Sequence, residues 1–163
     1  MKLSIKILFA LTTLYLILSP LNAMERVGRL GLGMTNQLQS GLPALSFKLQ
    51  KSKEMAFGAL LGLDTADSGG YGAGVKMYRN IFDEPQLNLY AAALAALTNQ
   101  KTPGGADQSG FQVDMTMGSE FSLTGLNSLG FSFEFGVSFH KVNDFSISTT
   151  GHNFITAGIH FYL

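Results

Sequence analysis

The residues best suited to chemistry fall in two stretches: His140, Asp144, Ser146, Ser148 and His152 in one, and Asp107 with Ser109 in the other. A hydroxyl nucleophile, an imidazole base and an orienting carboxylate could meet there and support acyl transfer or hydrolysis. The same residue types are what any exposed loop contains, because Ser, Asp, Asn and Gly satisfy turn backbones. No Gly-x-Ser-x-Gly nucleophile elbow accompanies them. His140, His152 and His160 lack the spacing of metal ligands, and Asp64, Asp67 and Asp83 stand in turn-like sequence. Gly31-Leu32-Gly33 and Gly72-Ala73-Gly74 run on into alternating apolar sequence rather than into helices, so they do not read as phosphate loops. No catalytic residue, metal or cofactor is expected.

The elements that would carry these loops are strands. From Leu129 to His140, Leu129, Phe131, Phe133, Phe135, Val137 and Phe139 alternate with Gly130, Ser132, Glu134, Gly136, Ser138 and His140. A strand sends successive side chains to opposite faces, so one face is a column of bulky apolar groups and the other is small or polar. The same alternation predicts strands over Arg29 to Met34, Leu45 to Gln50, Met55 to Leu63, Tyr71 to Tyr78, Leu87 to Leu97, Phe111 to Phe121 and Ile155 to Leu163. Eight strands joined by short connections predict an all-β, antiparallel up-and-down arrangement, and an even number lets the first and last strands pair. Pro43 opens a strand while Pro85 and Pro103 fall between strands, so no ladder loses a donor.

Both ends of the chain carry location signals. Lys2 and Lys6, the apolar run Ile7 to Leu18, Pro20 and the small-residue site ending at Ala23 read as a secretory signal peptide over 1–23 that is removed. The remaining 24–163 would be a single barrel domain. Without Lys2 and Lys6 the 11 basic residues fall to 9 against 11 acidic ones, a net charge near −2 with no basic cluster, which speaks against nucleic acid as a partner. The chain has no cysteine, so neither a disulfide framework nor a lipidated cysteine is available. Only 13% of residues are charged, against about 25% in an ordinary soluble domain. Beyond the leader no apolar run approaches the roughly 18 to 20 residues of a spanning helix, so a membrane location would have to be reached with strands.

Closing the sheet inside a bilayer fixes which face is which. With the bulky column turned to lipid, Arg29, Lys48, Lys76, Asp114, Glu120, Glu134 and His160 all turn into the lumen, where cations can pair with anions. A lysine or arginine facing lipid at the midplane would instead cost about 2 to 4 kcal/mol. Many glycines, among them Gly58, Gly72, Gly118 and Gly136, share the inner face and leave room for long side chains opposite. Arg79 falls on the outer face at a strand end, where its head can reach the headgroups. The rival arrangement is a soluble periplasmic barrel or sandwich, a binding protein with the apolar column inside.

The last residues, Thr156-Ala157-Gly158-Ile159-His160-Phe161-Tyr162-Leu163, form a polar-x-Gly-x-x-aromatic-x-apolar strand ending at the C-terminus. This segment, with Thr156, Gly158, Phe161 and Leu163 as its marked positions, resembles the C-terminal insertion signal of bacterial outer-membrane barrels. By pattern the whole chain after the leader resembles the eight-stranded OmpA/OmpX-type barrels. That resemblance implies a closed transmembrane barrel in the outer membrane with both termini periplasmic, surrounded by outer-membrane lipid and inserted by the outer-membrane machinery acting on the last strand. It also implies a non-enzymatic role in structure or surface interaction, with 98–109 and 141–152 as the loops an extracellular partner would meet. A narrow channel or small-molecule binder is the alternative, and a lipid-modifying enzyme a third. The His-x-Ser pair of lipid A deacylases is absent, since His140 precedes Lys141-Val142 and His152 precedes Asn153-Phe154.

Overall fold

The computed structural model describes residues 26–39, 42–84, 86–101, 107–142, 144–150 and 155–163, so the expected leader and the start of the mature chain lie outside the described residues. The chain is built from strands β1 (Leu30–Thr35), β2 (Ala44–Gln50), β3 (Met55–Asp64), β4 (Gly70–Glu84), β5 (Leu87–Gln100), β6 (Gln108–Phe121), β7 (Leu129–Lys141), β8 (Phe145–Thr149) and β9 (Thr156–Tyr162). Each of β1 to β7 pairs antiparallel with its sequence neighbours, and β9 pairs with both β7 and β1. The sheet closes, which leaves each strand of the circuit with a neighbour on either side.

Nine strands fill eight positions because β8 and β9 share one. The far half of β7, Val137 to Lys141, pairs with β8, and the near half, Leu129 to Glu134, pairs with β9. Here "near" denotes the barrel end at which β1 begins and β9 ends, where Gly31 faces Tyr162. Between the two pairings β7 supplies only Phe135 and Gly136, while β8 ends at Thr149 and β9 begins at Thr156. Alternation alone read 141–152 as a connection, but Phe145 and Ile147 face out and extend the wall.

Register fixes the barrel's dimensions. Met34 lies in register with Leu45, Leu61, Ala73, Leu97, Phe111 and then Lys141 in one direction, and with Ile159 and Phe131 in the other. The two paths reach β7 at positions 141 and 131, a stagger of 10 around the circuit. With about 3.3 Å per residue and about 4.7 Å between strands, that stagger tilts the strands by about 40°. It leaves a radius near 8 Å, so side chains can fill the interior.

The alternation sorts as the sequence pattern requires. Leu97, Val75, Met115, Leu61, Phe135 and Phe161 are exposed on the outside, Leu97 by 71%. Ser46, Lys48, Lys76, Gln112, Asp114, Glu120, Glu134 and His160 are buried inside. Several strands outrun the alternation that revealed them. β4 continues through Asn80 to Glu84, which alternation had assigned to a connection, because a bulge between Asn80 and Phe82 turns both Ile81 and Phe82 outward and breaks the period. β5 and β6 extend to Gln100 and from Gln108, so Thr98 and Asn99 are buried wall residues rather than loop.

Candidate functional site in the barrel lumen

The interior is stacked in three polar layers, each positioned by strands on opposite walls. At the near end Glu120 on β6 is fully buried and accepts from three donors: Arg26 Nη1 at 2.6 Å, Lys48 Nζ on β2 at 2.8 Å, and the Tyr162 hydroxyl on β9 at 2.7 Å. Arg26 also donates to Ser122 and lies over the Tyr162 ring. His160 Nε2 is 2.8 Å from the Ser46 hydroxyl, and its Nδ1 is 4.0 Å from Glu120.

The middle layer centres on Glu134 of β7. Lys76 Nζ on β4 donates to both of its oxygens at 2.6 Å, Tyr90 donates to Oε1 at 2.9 Å and Thr116 to Oε2 at 2.8 Å. Tyr78 stands between the layers, with the Lys48 ammonium 4.6 Å and the Lys76 ammonium 4.9 Å from its ring centroid. It meets Tyr90 edge to face at 5.3 Å. The inward glycines make room for these rings: a Cβ on Gly58 would come within 3.1 Å of Tyr78, and one on Gly118 within 2.9 Å of Tyr90 and 2.6 Å of Glu134.

The far layer is organised by a segment no periodicity marks. After Thr35 the chain leaves the wall and folds inward, burying Gln37, Leu38 and Leu42. The Gln37 amide donates to Asp114 Oδ2 at 3.0 Å and accepts from Lys76 Nζ. Gln112 donates to Gln37 O and to Asp114, and its own oxygen accepts from the Gln39 backbone N–H. Leu38 and Leu42 pack with Ala44, Leu60, Leu94 and Ala96 inside the barrel.

The structure thus gathers six of the seven expected lumen groups, Lys48, Lys76, Asp114, Glu120, Glu134 and His160, but pairs them in its own way. Arg29 sits ahead of β1, partly buried, and the arginine on Glu120 is Arg26. Asp114 is held by amides rather than by a cation. Tyr162, on the same face of the last strand as Thr156 and His160, points inward to Glu120. In the last strand Thr156 is buried, Gly158 faces the Ser132 hydroxyl, and Phe161 and Leu163 are exposed outside.

The loop residues weighed for catalysis are scattered. His140 and Ser146 are cross-strand neighbours of β7 and β8, but His140 Nδ1 has no hydrogen-bond partner. Ser148 faces Ser138, Ser109 accepts from Asn99, Asp144 and Asp107 are exposed, and His152 lies outside the described residues. Among the described residues no three His, Asp or Glu side chains converge on a metal position.

No family model and no curated protein matches the chain. A solved structure does: the N-terminal β-barrel domain of Pseudomonas aeruginosa OprF superimposes with a TM-score of 0.64, covering 84% of this chain and 98% of that one at 11% identity. The fold is that of the OprF barrel. At such low identity the likeness lies in strand number, order and closure, since alternation can be kept while nearly every side chain changes. The OprF-type barrel here shows an antiparallel circuit of eight staves, the architecture the alternation predicts.

Proposed function

We propose that the protein is an integral outer-membrane barrel, both termini periplasmic and leader removed, whose role is structural or interactive rather than enzymatic. One observation carries the reading: the outside is apolar while the ionic groups are enclosed. The outward column on β7 runs from Leu129 to Phe139, about ten residues, and at a tilt near 40° it rises about 25 Å, the height of the apolar band of such barrels. A water-soluble barrel would require the reverse partition, with Phe133, Phe135 and Leu97 inside and Lys48 and Glu120 in water.

The lumen supports a plug rather than a pore. Lys48, Tyr90, Leu38 and Leu60 are each exposed by 1%, and Glu120 not at all, which speaks for a filled interior among the described residues. Passage of an ion would require separating Glu120 from Lys48 and Arg26, each separation leaving a buried charge unpaired. Any extracellular partner would meet the far end of the barrel, where β5 connects to β6 and β7 to β8, within the stretches 98–109 and 141–152.

The test is fractionation of cells with a heat-modifiability gel, followed by planar bilayers. Recovery in the outer membrane, a shifted folded band and no single-channel steps are expected. A soluble periplasmic product would refute the location, and regular steps would replace the sealed barrel by the narrow channel.

A further inference from the structure

We propose that the far half of the lumen is a receptor for a short extended peptide, occupied at rest by the chain's own Gln37-Leu38, which swing out to expose it. The inward segment is not part of the wall. β1 ends at Thr35, where it faces Ala44 of β2 and Gly158 of β9, while β3 to β7 continue beyond that level. Its contacts read a dipeptide. The Gln37 amide is recognised at both ends, by the Asp114 carboxylate and the Lys76 ammonium, and the Gln37 carbonyl by Gln112.

Leu38 sits in a cradle of missing side chains: a Cβ on Gly62 or on Gly72 would lie 3.0 Å from its Cδ1. Leu60, Leu94 and Ala96 complete the apolar wall.

The two charged wall groups keep a partner without the occupant, while Gln112 gives up its bonds to Gln37 and Gln39 and is left to read an incoming backbone. Lys76 keeps both Glu134 oxygens, and Asp114 keeps Gln112. Asp114 is fully buried and its Oδ1 has no hydrogen-bond partner, an acceptor left for a further peptide N–H. Below, the Glu134–Lys76 and Glu120–Lys48–Arg26 layers close the chamber, so withdrawal opens a blind site rather than a channel.

The chain lacks cysteine, so Ala96→Cys places a single thiol in the cradle. Its modification by a water-soluble methanethiosulfonate is followed in detergent-folded protein, which keeps the result independent of where the protein resides. Three versions are compared, each checked for the folded band on a heat-modifiability gel: the native loop, Gln37→Ala with Leu38→Ala, and Gly72→Ala, which presses on Leu38 from the wall side. Labelling at least ten times faster than in the native loop is expected for both variants, and millimolar acetyl-Gln-Leu-amide should restore the slow rate in the first. Equal rates in all folded versions would overturn the displaceable occupant. Fast labelling that the peptide leaves unchanged would overturn the receptor.

Discussion

Replacing Glu120 by Gln removes the charge on which Arg26, Lys48 and Tyr162 converge while keeping the side chain's size. Lys48 is then a buried cation facing an amide. Deleting one partner of a buried pair costs about 3 to 5 kcal/mol, because the charge left behind is not solvated. Two effects soften the loss. Arg26 is 14% exposed and can turn toward water, and the Lys48 ammonium keeps the ring faces of Tyr78 and Tyr90, at 4.6 and 4.9 Å, a compensation of about 1 kcal/mol. The expected net loss is therefore about 2 to 4 kcal/mol. It is measured as a shift in the urea midpoint of the folded band in lipid vesicles, with the slope of the transition unchanged. Adding Lys48→Met should recover part of the loss, since no unpaired charge then remains. A loss below about 1 kcal/mol for the single variant, or a double variant no more stable than the single, would refute the view that these groups act as a closed ionic unit.

Phe135→Arg, near the middle of the outer column, should cost about 2 to 4 kcal/mol in the same titration, whereas Val27→Arg at the rim should cost less than about 1 kcal/mol; equal effects would contradict a lipid-facing outer surface. Gly118→Ala should destabilise by about 1 to 3 kcal/mol, because the added methyl meets Glu134 at 2.6 Å and the Phe133 carbonyl at 2.8 Å. Glu54→Gln, which breaks the pair with Arg79 at 3.1 Å, should change stability by no more than about 0.5 kcal/mol, since both side chains are mostly in solvent. A larger change there would mean that Arg79 is held in a drier setting than its exposure indicates.

What could be read from the sequence was whatever repeats with period two. Leu129 to His140 shows both faces without an exception, and lumen residues such as Glu134, Lys76 and Asp114 follow from parity alone. Short or irregular pieces were not legible. Phe145-Ser146-Ile147-Ser148-Thr149 alternates, but it is brief and flanked by Asp144 and Gly151, and only pairing with the far end of β7 makes it wall. The bulge at Ile81 places two neighbouring apolar residues on one face, which ends the pattern before the strand ends. Nothing periodic marks Gln37 and Leu38, whose burial depends on a chamber formed by β3, β4, β5 and β6. Arg26 on Glu120 was missed for a similar cause: parity selects a residue by its place on a strand, while a long side chain entering from beyond the strand obeys no parity.

The split eighth stave also determines where the circuit is weakest. β1 meets β9 over five register pairs, against fourteen between β4 and β5. Closure therefore hangs on a brief zipper between the first and the last strand. Amide protons of Gly31 to Thr35 should consequently exchange with deuterium well before those of Ala91 to Leu97. Breathing at that seam, rather than uniform loosening, would be the route by which the folded barrel comes apart.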